Sequence, residues 1–282
     1  MPHSSRRNRK APSTKRREEL LDDGWTRVTR TGRNEHGRIT TESFDVEPVQ
    51  SGLNVEKLSQ ELDKMRARWL ESDCRTKLAD VLRPFLSDHA NAITEGVCVA
   101  LGSVSRGWSH RFNSIWQLIL FLDIVEQIES VSQQKIRLYA QEPRFSDLDK
   151  EFLTSRNITV LEDPEARDHV GNNTFLFIPY LEWSTEIPYT KAAKDAPLYV
   201  TSGMNWVIEE AERAEREVAR SEFNDEVDRE TKAESSDAIQ CAHMVLDTHR
   251  AWRIPNAEPA GYNVALTIYM KNDEQEAQDQ SG

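Results

Sequence analysis

The chain has 282 residues, 38% of them apolar and 30% charged, with 36 basic against 48 acidic side chains and a formal charge of −12. So acidic a chain is a poor general binder of nucleic acid backbones. Its longest apolar stretch, Ile115 to Val131, holds Gln117, Asp123, Glu126 and Gln127, which argues against a membrane span.

Residues 1–17 carry seven positive charges and no negative one. Pro, Ser and Asn break the run, so residues 1–20 read as a disordered basic tail. It has no apolar segment of the kind a secretory signal needs. Its clusters Arg6–Lys10 and Lys15–Arg17 have the form of a bipartite nuclear-import signal, or of a solvated tail that binds polyanions weakly. Cys74, Cys98 and Cys241 are scattered and odd in number, as in a reduced, intracellular protein. The expected location is cytoplasmic, nuclear or both.

Residues 21–91 read as an extended segment and a helical lead-in. Trp25 and Val28 are expected to dock the extended piece. Residues 31–50 are polar and loop-like. Asn54 caps a helix whose apolar stripe is Val55, Leu58, Leu62, Met65 and Trp69. A second helix turns Leu78, Val81, Leu82 and Phe85 inward, and Pro84 is expected to bend or end it.

The alternation then changes. Val97–Leu101 is an apolar run of the kind buried on both faces in parallel sheets. A helix follows from about Trp108 to Val131, apolar around most of its girth. Lys135–Ala140, Ile158–Leu161, Thr174–Ile178 and Leu198–Thr201 read as further strands. Ser146 caps a short helix between the first two of these. Met204–Arg220 reads as a helix with a thin apolar stripe. This βαβ alternation predicts an α/β fold: a Rossmann-like three-layer domain with a mostly parallel sheet. The domain is expected over residues 92–270, with its core at 92–206. A mobile charged linker is expected near 221–238, then a helix around Ala242–Trp252 and a closing strand at Val264–Tyr269. Residues 271–282 read as a disordered acidic tail.

The first βα loop carries the candidate site, because ligands of open α/β sheets bind at the carboxyl ends of the strands. Gly102 and Gly107 have the frame of a P-loop, but Trp108-Ser109 stands where Lys and Ser or Thr are required. The dinucleotide pattern fails too, with Ala100 and Ser105 in place of two glycines. Glu142 and Pro143 end the second strand. An acid there holds ribose hydroxyls of a nucleotide or of S-adenosylmethionine; otherwise it is a surface carboxylate beside a turn. A triad of Asp163, His169 and the serines is a weak hydrolase reading without a nucleophile elbow. Cys241, His243 and His249 suggest a metal site only on a helix that unwinds, and no metal is expected.

Several segments together resemble the SRR-like domain family, from about residue 22 to 206. These are Asp23-Gly24-Trp25-Thr26-Arg27-Val28, Trp69-Leu70-Glu71-Ser72, Val99-Ala100-Leu101-Gly102-Ser103-Val104-Ser105, Gln117-Leu118, Glu142-Pro143-Arg144-Phe145-Ser146-Asp147-Leu148-Asp149, Leu161-Glu162-Asp163-Pro164 and Phe177-Ile178-Pro179-Tyr180. Three departures stand out. Ala100 replaces a loop glycine, Glu142 replaces Asp, and Tyr180 replaces the family's His, the group best suited to proton transfer. The resemblance implies a regulatory role: light signalling and clock control in plants, and haem- or microtubule-linked processes in other eukaryotes. Gly102, Ser103, Ser105, Glu142, Pro143 and Asp149 match its loop and acidic segment.

The sequence therefore predicts a regulatory protein with protein partners that senses a nucleotide-like ligand. The candidate ligand residues are Gly102, Ser103, Ser105, Gly107, Glu142, Pro143, Asp149, Asp163 and Tyr180. The alternative is an enzyme using S-adenosylmethionine, or less readily NAD, through the same loop and Glu142. No catalytic residue is assigned.

Overall fold

A computed structural model describes residues 15–20, 26–31, 47–179, 181–220, 226–255 and 266–272. The chain divides into two units, Met1–Val46 and Glu47–Gly282. The first contains a hairpin of β1 (Lys15–Leu20) and β2 (Thr26–Thr31), paired antiparallel from Lys15–Thr31 to Leu20–Thr26. Lys15–Arg17, which the sequence places in the tail, thus open a strand. The expected docking of Trp25 and Val28 lies outside the described residues and side chains.

The second unit opens with the lead-in helices. In α1 (Val55–Leu70), the Asn54 side chain accepts from the Lys57 N–H at 2.9 Å, and Leu58, Leu62, Met65 and Trp69 are buried. In α2 (Asp73–His89), Ser72 is the cap, and Leu78, Leu82, Phe85 and Leu86 are buried. Pro84 lies inside α2 and does not end it. The continued apolar stripe, with Phe85 and Leu86 in the core, outweighs the one N–H that proline removes.

A seven-stranded sheet follows, in the order β5-β4-β3-β6-β7-β9-β8. The strands are β3 (Glu95–Val99), β4 (Arg137–Gln141), β5 (Ile158–Leu161), β6 (Thr174–Ile178), β7 (Leu198–Thr201), β8 (His249–Arg253) and β9 (Thr267–Lys271). β3 through β7 pair in parallel, and β9 runs antiparallel to both β7 and β8. β3 ends two residues before the expected Leu101, because Ala100 turns at φ 58°.

Period-two alternation divides the core. Phe175 and Phe177 of β6 face one apolar cluster, with α1, α2, α3 (Trp108–Ser132) and α4 (Asp147–Ser155). Leu176 and Ile178 face the other, with α5 (Trp183–Ala193), α6 (Met204–Ala219) and α7 (Glu226–Thr248). The sheet is therefore covered on both faces, as parallel sheets require. Phe121 of α3 stacks on Phe175 with ring centroids 5.5 Å apart.

Two expectations are corrected on the second face. The stretch read as a charged linker is largely α7, a helix of 23 residues. Its buried stripe is Ser235, Ala238, Cys241, Ala242 and Val245, spaced at three and four but built of small residues. The helix expected around Ala242–Trp252 stops at Thr248, and His249–Arg253 is the edge strand β8. Helix α5 has no counterpart in the sequence reading, since Pro188 interrupts it and its apolar residues show little period.

Candidate functional site

The strand order reverses at β3, so the crevice of a doubly wound sheet falls outside the carboxyl ends of β3 and β6. The loop after β3 enters it. Ala100 extends the ladder, its N–H donating to the Gln141 carbonyl at 3.0 Å, and Gly102 turns the chain at φ 73°. A Cβ on Gly102 would stand 2.6 Å from Ser114 Oγ, so glycine is required there by backbone and by space.

Three sequence-picked residues meet beneath this loop. Ser103 Oγ donates to Asp149 Oδ2 at 2.7 Å and accepts from the Ser105 and Arg106 N–H groups at 3.2 and 3.0 Å. Asp149 Oδ2 also takes the Ser146 N–H at 2.8 Å and Ser146 Oγ at 3.0 Å, while the Asp149 N–H returns to Ser146 Oγ at 3.1 Å. That reciprocal pair is a capping box at the start of α4. Ser105 Oγ lies 2.7 Å from Ser146 Oγ. Ser103, Ser105 and Asp149 are buried and bonded to one another and to Ser146. They brace the loop from below through Asp149 Oδ2, while the buried Asp149 Oδ1 has no hydrogen-bond partner among the described residues.

Glu142 stands at the exit of β4, half-buried, facing the loop. Its Oε2 accepts from the Gly102 N–H at 3.2 Å and its Oε1 from the Arg144 N–H at 3.0 Å. The expected pairing of loop and acid is thus present. Pro143 is exposed at the turn beyond, which the Phe145 N–H closes on the Glu142 carbonyl at 3.1 Å.

A segment ahead of α1 straps the loop from outside. The Gln50 N–H donates to the Ser105 carbonyl at 2.9 Å, Val49 bridges Arg106, and Arg106 Nη1 donates to the Glu47 carbonyl at 2.8 Å. Gly107, the residue before α3, has φ 39°, and a Cβ there would collide with the Glu47 carboxylate. An acidic side chain therefore covers the helix end where a pyrophosphate would otherwise rest.

Asp163 lies at the exit of β5 and is exposed. Its Oδ1 accepts from Gln141 Nε2 at 2.8 Å. The same Nε2 reaches the Tyr189 hydroxyl at 2.9 Å, and Gln141 Oε1 accepts from the Ala166 N–H at 2.8 Å. Gln141 was missed from sequence; a polar residue closing an apolar strand was its signal. Tyr180 lies outside the described residues.

The hydrolase triad does not form. His169 Nδ1 lies 3.2 Å from Glu95 Oε2, at the first residue of β3, and its ring stacks on Tyr139 at 3.9 Å. Ser103 follows the other end of that strand. His249 likewise leaves the proposed helix: it opens β8, and its Nε2 lies 3.0 Å from the Ala196 carbonyl oxygen. Among the described residues, no group of three or more His, Cys, Asp or Glu is placed to hold a metal ion. A groove of about 330 Å³ lies between α2 and α3, lined by Arg75, Arg83, Leu86, Glu126 and Val131, on the helices and away from the first loop.

Sheet order and loop geometry define a doubly wound α/β protein, with an acidic residue of the second parallel strand set against the first loop. The family model described as the SRR1 domain matches residues 58–234. The chain belongs to the SRR1 domain family, in agreement with the resemblance carried by its loop and acidic segment. No curated protein matches the sequence. Among solved structures, the SAH-bound methyltransferase PaMTH1 of Podospora anserina is similar, with 9% identity and a TM-score of 0.30 over 77% of this chain and 95% of that one. No helix among the described residues is long and apolar enough to cross a membrane.

Proposed function

We propose that this SRR1-domain protein is a regulator that senses an adenosyl-type ligand at the crevice between the first loop and Glu142. The observation that carries the reading is the Glu142–Gly102 contact. A carboxylate at the end of the second parallel strand would accept from two ribose hydroxyls, and the Gly102 N–H that it already accepts from supports this reading by holding it against the first loop. Partner proteins would meet the charged outer faces of α6 and α7. The basic clusters Arg6–Lys10 and Lys15–Arg17 would direct nuclear import, which imaging of a chain lacking residues 1–17 tests.

Binding of S-adenosylmethionine, its demethylated product, NAD, NADP and ATP to the full chain, followed by calorimetry and thermal shift, tests the site. A ligand at 100 times its dissociation constant adds about 2.7 kcal/mol of stability. Glu142→Ala is expected to abolish the response. Absence of binding by all five, or binding indifferent to Glu142→Ala, rejects the site.

A second reading is methyl transfer, favoured by the Glu47 carboxylate over Gly107. A carboxylate at the start of α3 would repel a pyrophosphate, which disfavours NAD, but would not repel a cationic sulfonium donor that has no phosphate. Transfer of labelled methyl groups to a cell-extract protein is the decisive assay for it.

A further inference from the structure

Glu186 is a carboxyl group sealed in the second core, 1% exposed. It sits on the first turn of α5, the helix that follows the exit of β6, and faces β7. The Tyr199 hydroxyl and Thr201 Oγ1 both donate to its Oε1, the latter at 2.6 Å. Its Oε2 has no hydrogen-bond partner among the described residues.

Among the described residues, the surrounding elements supply no counter-charge. On α5, Thr190 Oγ1 donates to the Glu186 carbonyl at 3.2 Å and lies 3.5 Å from the Tyr199 hydroxyl. On β9, the Tyr269 ring lies 6.1 Å from that of Tyr199, and its hydroxyl accepts from the Met204 N–H at 2.7 Å. Lys191 of α5 is turned out to Asp237 of α7 at 2.8 Å, beside the buried Cys241. Arg167, from the turn after β5, lies over the Tyr189 ring at 5.5 Å.

A buried carboxylate with one oxygen unpartnered and no cation costs far more than the neutral acid. Burial pushes this carboxyl up to about 7, against the donors Thr201 and Tyr199, which pull it down. The helix that carries it is held by its buried face, Glu186, Ile187, Tyr189, Thr190 and Ala193, more than by capping. Glu182 makes no side-chain cap bond, and Pro188 removes an N–H from the interior.

We infer that Glu186 is a proton switch between α5 and β7: protonated, it holds α5 against β7, and ionised, it loosens that contact. The switch is independent of which ligand the crevice takes. It is read by amide hydrogen exchange of the full chain, corrected for the intrinsic pH dependence, with α1 as internal reference. Between about pH 6 and about pH 8.5, protection of α5 is expected to fall about tenfold or more, while α1 is unchanged. Glu186→Gln, which cannot ionise, keeps α5 protected at both. Thr201→Val removes a donor to the ionised form and moves the midpoint to higher pH. Protection of α5 that ignores pH, or a pH-dependent loss that survives in Glu186→Gln, overturns the switch. Should Glu186→Gln not fold, a Thr201→Val midpoint that stays put or moves down overturns it as well.

Discussion

Ser103 Oγ and Asp149 Oδ2 meet at 2.7 Å although the residues stand 46 positions apart. One carboxylate oxygen thereby joins the first loop to the start of α4, taking three donors from Ser103 and Ser146. Asp149→Ala leaves these donors buried without an acceptor and removes half the capping box. The expected loss is about 2–4 kcal/mol in urea denaturation. A loss below about 0.5 kcal/mol would show that the loop is held by other contacts.

Gly102 is constrained twice, by a φ of 73° and by Ser114 Oγ. Gly102→Ala is expected to cost about 2 kcal/mol, from left-handed strain and the close contact together. Adding Ser114→Ala relieves the contact but not the strain, so the double variant should recover only part of the loss. Full recovery would show that the backbone angle carries no cost.

The small residues of α7 let it approach α6 closely. Ala242 is fully buried, with Ala238 and Ala211 buried in the same cluster. Ala242→Leu overfills this contact and should destabilise by about 1–3 kcal/mol. Asp247→Ala, on the exposed face of the same helix, should change stability by less than about 0.5 kcal/mol. Equal effects would mean that α7 does not pack through its small-residue stripe.

Stability should depend on pH through two buried groups with opposite signs. The Glu186 carboxyl is raised from 4.5 to about 7 by burial, so the folded chain keeps a proton that the unfolded chain has released. Its contribution is lost as pH rises through that window. The His249 imidazole is lowered from 6.5, chiefly by burial, against the pull of the Ala196 carbonyl. The unfolded chain gains that proton first, so stability falls as pH drops below 6.5. The two contributions oppose each other over overlapping ranges, so urea midpoints should fall less with rising pH in Glu186→Gln and fall less with falling pH in His249→Gln than in the parent chain. A variant whose slope matches that of the parent removes its group from the account.

Much of the fold was legible because local pattern and tertiary role coincide. Ile158–Leu161, Thr174–Ile178 and Leu198–Thr201 are strands with the bounds their apolar runs predict. Leu58, Leu62, Met65 and Trp69 are buried as their spacing requires. Where the two separate, the reading failed. Ser235 and Ala238 are core residues of low hydrophobicity inside a charged run, and the nearness of α5 and α6 makes them, with Ala242, a core face. Glu186 gave no signal, since its chemistry comes from Tyr199 and Thr201 on another element.

By itself the sequence determined the α/β class, the strand-loop-helix frame around Gly102 and the membership of the family. Each of these depends on residues close together along the chain, whose periodicity and turn chemistry act locally. Tertiary structure alone decided what the candidate residues do. Ser103, Ser105, Ser146 and Asp149 bond to one another and leave only Asp149 Oδ1 unpartnered, Glu142 faces Gly102, Glu47 lies against Gly107, and the carboxyl of Glu186 is shut away from water. These depend on distances between elements far apart in the chain. Such distances follow from how the sheet orders its strands, which no local pattern encodes.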